Sequence, residues 1–449
     1  MSLKQLPGPA SLQRVFLHGF GVEGRAALPW LQEKSPADIM VIGKDIENQP
    51  DGLKIVDEQD ALALPPPNLY LRSPGVSPNN PLMQAMTEAG IPTTTPTGYW
   101  LDKAAHGKII AITGTKGKST SAALLQAILK EAGCETALIG NIGAPPFASA
   151  IGPDTICIAE LSSYMMHDLP SVIDFHVITN LYTEHTDWHG NHASYAAAKL
   201  RPFLENSQQK GLYGDNLAPD LGDHKTAMPV SDIAQYEDGK LFHGLDWQIE
   251  LEKLNDIFIA PSMAKAADCA LASALVVAKD WQLSPPEEIL AAAARAFRGF
   301  KGLPHRQSII SQAGNRLWID DALATVPEAT LSAITRFQKR PLHILIGGKD
   351  RGQRFADFFA RLPDGAMIRF YQFGEIATRF AADAAGAGID CARDGNRPYE
   401  DMEAALKAAF EASAPEDAIL FSPAAPTEEQ YGNFANRAQI FADFAKNIS

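Results

Sequence analysis

Short apolar runs recur along the chain, each ending in glycine or a small polar residue and each followed by a helical pattern. The early ones are "RVFLHG" from Arg14, "DIMVIGK" from Asp38 and "NLYLRSPG" from Asn68. Then come "KIIAITGT" from Lys108, "TALIG" from Thr136, "TICIAELSS" from Thr155 and "FHVITNL" from Phe175. The alternation resumes with "LHILIGGKD" from Leu342, "IRFYQFG" from Ile368 and "DAILFSPAAP" from Asp417. Apolar strands alternating with helices predict parallel sheets of the doubly wound α/β kind. Two interruptions break the rhythm, "YWLDKAAHGK" at 100–109 and "RGFKGLPHRQ" at 298–307, the second after an Ala-rich helical stretch at 288–297. They predict three α/β domains: 1–105, 106–302 and 303–449.

Length agrees, since 449 residues are too many for one core. The formal net charge of −14 argues against a nucleic-acid binder, which needs a basic stripe to neutralise phosphates. Four dispersed cysteines (Cys134, Cys157, Cys269, Cys391) form no C-x-x-C pair and read as free thiols in a reducing compartment. No basic and apolar leader opens the sequence, and the longest apolar stretch, around "ALASALVVA", is too short for a bilayer. A cytoplasmic protein without membrane insertion is expected.

Two glycine-rich turns carry candidate chemistry. Gly19-Phe20-Gly21-Val22-Glu23-Gly24 follows a strand, opens a helix and fits the dinucleotide fingerprint G-x-G-x-x-G. Asp45 stands near the distance at which such sites place an acidic residue for a ribose, so an NAD-dependent oxidoreductase is one reading. The second turn is Gly114-Thr115-Lys116-Gly117-Lys118-Ser119-Thr120, between an apolar strand and an amphipathic helix. Its G-K-S-T core matches an ATP-binding P-loop in shortened form, with Ile112 where the first glycine of G-x-x-x-x-G-K-[ST] would fall. Backbone amides there can wrap a phosphate chain, Lys118 can reach the β- and γ-phosphates, and the hydroxyl of Ser119 or Thr120 can ligate Mg²⁺. An ATPase also needs metal ligands at strand ends. Glu160 closes one strand, and Glu184, His185, Asp187 and His189 follow another.

These motifs resemble the Mur ligases of peptidoglycan synthesis, and among them the glutamate-adding type. The resemblance spans all three predicted domains through "SPGVSPNNP", "TGTKGKST", "GNIGAP", "AELSSY", "TNLYTEHTDWHG", "YAAAKLRPF", "GLPHR", "GGKDRG" and "FSPAAPTEEQYGNF". It implies a Rossmann-like UDP-binding domain, a central P-loop ATPase domain and a C-terminal Rossmann-like glutamate domain, working as a monomer. It implies an acid–amino-acid ligase, using ATP and Mg²⁺ to phosphorylate the carboxylate of UDP-N-acetylmuramoyl-L-alanine. The amine of glutamate then displaces phosphate from the acyl phosphate.

Carried over by this resemblance, Lys118 is the P-loop lysine, Glu160 and His185 are metal ligands, and Lys199 is the lysine that the family carbamylates. Gly21, Val22, Glu23 and Ser73 would meet the diphosphate of the UDP-sugar. Asn141 and Ser162 would lie near the muramoyl part. His305 and Arg306 match hinge residues reaching ATP, and Asp321 matches the aspartate beside the ribose. Asp268 stands at the adenine side, where the usual H-N-x-x-N signature is missing. Thr325, Arg351, Thr427 and Phe434 fit the glutamate pocket.

The pattern departs from the family in instructive places. Met165 replaces the glutamine of S-S-[FY]-Q, and Leu323 replaces a lysine within the stretch Asp321–Val326, which Pro327 follows. Leu323 and Pro327, with "DWHG" and "GFGVEGRAA", look like a side branch that adds L-glutamate, leaving D-glutamate as the alternative. An inactive relative serving as a partner of cell-wall ligases would be expected to lose Lys118, Glu160 or Lys199, and all three are present.

Overall fold

The computed structural model describes residues 6–44, 52–105, 107–149, 151–169, 173–182, 184–238, 240–243, 247–259, 261–389, 391 and 397–448. The chain divides into two compact units, residues 1–300 and 301–449. Every apolar run read as a strand from the sequence forms one, whereas "ALASALVVA" lies in the helix Pro261–Asp280.

The first unit holds two parallel sheets. Strands β1 (Arg14–His18), β2 (Asp38–Ile42), β3 (Lys54–Val56), β4 (Leu69–Arg72) and β5 (Thr93–Thr94) form one sheet in the order β3-β2-β1-β4-β5. The second contains β6 (Lys108–Thr113), β7 (Thr136–Gly140), β8 (Ile156–Glu160), β9 (Phe175–Ile178), β10 (Gly211–Tyr213) and β11 (Ala227–Pro229), in the order β11-β10-β9-β6-β8-β7. Both orders place β1 and β6, the strands feeding the two glycine turns, in sheet interiors. There the C-terminal edge of an open α/β sheet forms its ligand crevice. Ile109, Ile110, Ala111 and Ile112 of β6 are buried, as are all five residues of β8, which explains their unbroken apolar reading. Helices Lys118–Glu131, Pro261–Asp280 and Pro286–Gly299 pack into one core with that sheet through Leu125, Ile128, Leu271 and Ile289. A small antiparallel sheet of β12 (Gln235–Glu237), β13 (Lys240–His243) and β14 (Trp247–Glu250) completes the unit.

The second unit is one five-stranded sheet, β15 (Ser308–Ser311), β16 (Leu317–Asp320), β17 (Leu342–Gly347), β18 (Ile368–Phe373) and β19 (Ala418–Phe421), in the order β15-β16-β19-β17-β18. Only β15 runs antiparallel. Separate apolar layers cover the sheet, one built on Ile319, Ile344 and Phe370, the other on Trp318, Tyr371 and Phe441. The chain is therefore α/β with several parallel sheets. Among the described residues, no helix is long and apolar enough to cross a membrane.

Candidate active site

The second glycine turn is held from the strand beside it. Gly114 has φ +140°, and a β-carbon there would sit 2.0 Å from Thr179 Oγ1, so only glycine lets the loop close against β9. Thr179 Oγ1 donates to the Lys116 carbonyl at 2.7 Å, and Asn180 Oδ1 accepts from the Lys116 amide at 2.9 Å. Gly117 then caps the helix Lys118–Glu131 in the left-handed region at φ +82°, leaving the amides of the first turn available to an anion. Lys118 Nζ donates to the Thr115 carbonyl at 2.9 Å, folded back over the loop. Ser119 and Thr120 are buried at the helix start.

The expected catalytic groups gather around this turn. Lys199, in the helix His192–Glu205, is fully buried, and its Nζ donates to Gly114 O at 2.7 Å and to Thr113 Oγ1 at 3.1 Å. Burial, reinforced by the Lys118 charge, pushes the Lys199 amine down to about 6, against smaller upward pulls from Glu184 and Glu160. At neutral pH Lys199 is largely an uncharged amine. Glu160 ends β8, is buried, and accepts from Asn141 Nδ2 at 3.1 Å, while its second oxygen has no partner in the structure. Ser162 caps the next turn, its hydroxyl accepting from the Met165 amide at 3.2 Å. His185 follows β9 with φ +54°, and its Nδ1 lies 2.9 Å from the Tyr164 hydroxyl. Burial lowers its pKa, so the imidazole is neutral near pH 7. Glu184 pairs with Lys116 across the loop.

Mg²⁺ binds through one or two carboxylates, hydroxyls, waters and substrate phosphates, without a dedicated protein cage. The unpartnered oxygen of buried Glu160 and the hydroxyls of Ser119 and Thr120 suit that donor set. Among the described residues, no three His, Cys, Asp or Glu side chains cluster closely enough to bind a metal unaided.

The first glycine turn has a different steric logic. A β-carbon on Gly19, at φ +82°, would lie 2.5 Å from Ser73 Oγ, and one on Gly24 would lie 2.9 Å from Gly19 O. Gly21 instead faces open space, at an ordinary negative φ, where it caps the helix Val22–Lys34. No contact within the protein demands glycine at 21, whereas the close approach of a phosphate would. Val22 is 71% exposed beside it, and Glu23 turns inward to accept from the Thr97 amide and hydroxyl at 3.2 and 2.9 Å. Burial raises the Glu23 pKa. Asp45, on which the dinucleotide reading turned, lies outside the described residues.

Asp268 sits on the helix Pro261–Asp280, where burial and Asp215 push its carboxyl up to about 8. Its Oδ1 has no hydrogen-bond partner in the structure. In the second unit, Asp321 follows β16 and is committed internally, accepting from Ser422 Oγ at 2.7 Å and the Gln307 amide at 3.1 Å. Desolvation raises its carboxyl to about 7. Arg306 and Arg351 are exposed, Thr325 and Thr427 half-buried. Phe434 starts the helix Phe434–Lys446, and its ring meets that of His305 at 5.7 Å. Sequence reasoning missed Asp320, whose Oδ2 lies 2.7 Å from His305 Nδ1. It also missed two wholly buried arginines. Arg72 grips Asp168, and Arg437 donates to Gly347 O and Ala425 O at 2.9 and 3.3 Å.

A strand, glycine loop and helix on an open parallel sheet define a P-loop nucleotide-binding protein of the α/β class. The model of the Mur ligase middle domain matches residues 112–218, which span this loop, Glu160, His185 and Lys199. A UDP-N-acetylmuramoyl-L-alanine–L-glutamate ligase of Xanthomonas oryzae pv. oryzae is 30% identical, the alignment covering 99% of this chain and 97% of that one. A UDP-N-acetylmuramoylalanine–D-glutamate ligase of Geobacillus kaustophilus is 28% identical over 96% of each chain. The MurF ligase of Thermotoga maritima, solved in complex with ADP, shares the fold with a TM-score of 0.52 at 13% identity, covering 100% of this chain and 97% of that one. The chain belongs to the Mur ligase family, whose members join an acid to an amino acid.

Proposed function

We propose that this protein is the ligase that joins glutamate to UDP-N-acetylmuramoyl-L-alanine in peptidoglycan synthesis, with ATP as the phosphoryl donor and Mg²⁺ bound at the nucleotide. The observation that carries the reading is the convergence of Lys118, Lys199, Glu160 and His185 about one P-loop, where His185 feels the charges of both lysines. In this reading residues 1–105 hold the UDP-sugar, 106–302 the ATP and 303–449 the glutamate, and the protein works as a cytoplasmic monomer.

The chemistry follows from charge. A substrate carboxylate must approach the γ-phosphoryl group, anion against anion. The amides at the start of the helix Lys118–Glu131 and the ammonium of Lys118 lower that repulsion. Glu160, His185 and the hydroxyls of Ser119 and Thr120 would hold Mg²⁺, which would supply further positive charge at the phosphates. The uncharged amine of Lys199 can attack carbon dioxide and release a proton, giving an anionic carbamate. That converts a buried neutral amine into a second anionic group, beside Glu160, that would face the metal. Phosphoryl transfer leaves an acyl phosphate. The glutamate amine, arriving without its proton, attacks the acyl carbon and the C–O bond to phosphate breaks. Arg351 grips a glutamate carboxylate with two parallel hydrogen bonds, and Thr325, Thr427 and Phe434 complete the pocket. Arg306 and Asp321 serve the nucleotide from the third domain, and Asp268 lies on the adenine side.

L-glutamate is the isomer proposed. Leu323 removes a cation where the D-adding pattern has a lysine, and opposite chirality requires the pocket charges to move. The relative from X. oryzae carries the L-glutamate name. Phosphate release with ATP, Mg²⁺ and UDP-N-acetylmuramoyl-L-alanine, measured with L- and D-glutamate in parallel, tests this. Release with L-glutamate is expected. Release with the D-isomer alone would reverse the stereochemical assignment, and release with only some other amino acid would overturn the glutamate assignment.

A further inference from the structure

Trp188 stands between two features that the mechanism uses separately. It belongs to the short helix Thr186–His189, three residues after His185, and its ring is buried. The indole Nε1 donates to Gly75 O at 3.3 Å. Gly75 lies in the turn that follows β4, beginning with Ser73, which packs beneath Gly19. Arg72, the last residue of β4, braces this turn by donating to the carbonyls of Ser73, Pro74 and Val76 at 3.4, 3.2 and 3.4 Å. The same guanidinium forks onto Asp168 at 2.6 and 2.9 Å and donates to Tyr164 O at 2.6 Å. It also lies 5.4 Å from the Trp188 ring.

The path continues from Trp188 to the ATP side. The Tyr164 ring stacks on Trp188 with centroids 4.6 Å apart and planes 29° apart. The Tyr164 hydroxyl sits 2.9 Å from His185 Nδ1. When Nδ1–H donates to that hydroxyl, the tautomer is fixed and the Nε2 lone pair is free for a metal. Turn, indole, phenol and imidazole thus form one continuous path of contacts, buried at the indole and half-exposed at the imidazole, where the Tyr164 hydroxyl holds the ring.

We propose that Trp188 and Tyr164 are positioning residues that carry occupancy of the turn at Ser73–Ser77 to the imidazole of His185. This rests on the reading of that turn as the nucleotide-sugar site and of His185 as a metal ligand. Tyr164 sets the ring and its tautomer, while Trp188 ties that setting to the substrate turn through Gly75. Because the coupling is thermodynamic, it is reciprocal: nucleotide-sugar strengthens metal binding by the factor with which metal strengthens nucleotide-sugar binding.

The test is Mn²⁺ affinity, read by electron paramagnetic resonance with a non-hydrolysable ATP analogue present, with and without UDP-N-acetylmuramoyl-L-alanine. In the unmodified protein the nucleotide-sugar is expected to tighten Mn²⁺ binding by roughly fivefold or more, a typical allosteric factor. Tyr164→Phe keeps the stack and is expected to weaken Mn²⁺ by about tenfold in both conditions, the usual cost of losing a ligand's supporting hydrogen bond. Nucleotide-sugar affinity in the absence of metal should stay unchanged in that variant, and ¹⁵N resonances of His185 should report loss of the Nδ1–H tautomer. Trp188→Leu is expected to abolish the coupling. Trp188→Phe, which preserves an aromatic stack if the leucine variant fails to fold, is expected to reduce it while leaving Mn²⁺ affinity alone intact. Coupling of undiminished size in the Trp188 variants, or unchanged Mn²⁺ affinity in Tyr164→Phe, overturns the proposal. Failure of the unmodified protein to bind the nucleotide-sugar overturns the functional reading with it, whereas binding without coupling overturns the proposal alone.

Discussion

Two buried bases, Lys199 and His176, are both pushed towards the neutral form by burial, but only one of them finds hydrogen-bond partners. Lys199 loses its charge by burial yet finds two acceptors, Thr113 Oγ1 and Gly114 O. His176, on β9, is wholly buried with no hydrogen-bond partner for either ring nitrogen in the structure, its ring edge-on to Phe203 at 5.6 Å and 84°. Desolvation, helped by the Lys199 charge, pushes its pKa down to about 3, against an ordinary 6.5. Above pH 6.5 neither the folded nor the unfolded imidazole is charged, and the residue leaves stability independent of pH. As pH falls from 6.5 towards 3, the unfolded chain binds a proton that the folded chain refuses, and stability is lost. By pH 5 that loss amounts to about 2 kcal/mol. His176→Leu is therefore expected to shrink the stability difference between pH 7.5 and pH 5 by about that amount, read from urea midpoints. An undiminished difference would mean that folded His176 takes up its proton readily.

At the scale of elements, what the sequence showed and what it hid divide by physical cause. Strands buried on both faces, such as β6 and β8, are near-continuous apolar runs and were legible, as was the glycine turn after each feeding strand. Strands β3, β5, β10 and β11 have two or three residues each, too short for a periodic signal. Edge strand β15 exposes Ile309 and Ile310, so its pattern does not resemble that of a buried strand. Lys199 taken alone reads as a lysine on a helix surface, because the carbonyl that holds it lies 85 residues away. Arg72 and Arg437 were invisible for another reason: their partners are mainly backbone carbonyls, which carry no residue identity. Arg72 joins strand β4 of one sheet to the helix Ser163–Met166 of the other, with Asp168 as its counter-charge. Removing one partner of a buried pair leaves the other charge uncompensated, which typically costs about 3–5 kcal/mol. Asp168→Ala is expected to destabilise residues 1–300 by that amount in urea unfolding. A loss below about 1 kcal/mol would show that the carbonyls alone satisfy the guanidinium.

For the whole molecule, the two units each own a closed set of apolar layers, and the sheet edges that carry the candidate sites belong to separate sheets. Units of this size with their own cores unfold as separate cooperative transitions. A ligand that binds only one folded unit raises only that unit's transition, by RT ln(1 + [L]/Kd). UDP is the probe suited to the first glycine turn, because the proposed reading gives it contacts with Gly21, Val22, Glu23 and Ser73 and none beyond residue 300. At a hundredfold excess over its dissociation constant it contributes about 2.7 kcal/mol. For a unit of 300 residues that amounts to a rise of about 4 °C. Calorimetry of the full chain is expected to show two transitions, one of which UDP moves while the other stays in place. Gly21→Val, which fills the open space where a phosphate would approach, is expected to remove the UDP response without lowering either transition. A response that survives this substitution would place the nucleotide-sugar somewhere other than the first turn. Movement of both transitions by UDP would show that the stability of the second unit is coupled to the first, and a single transition would show that the two unfold as one.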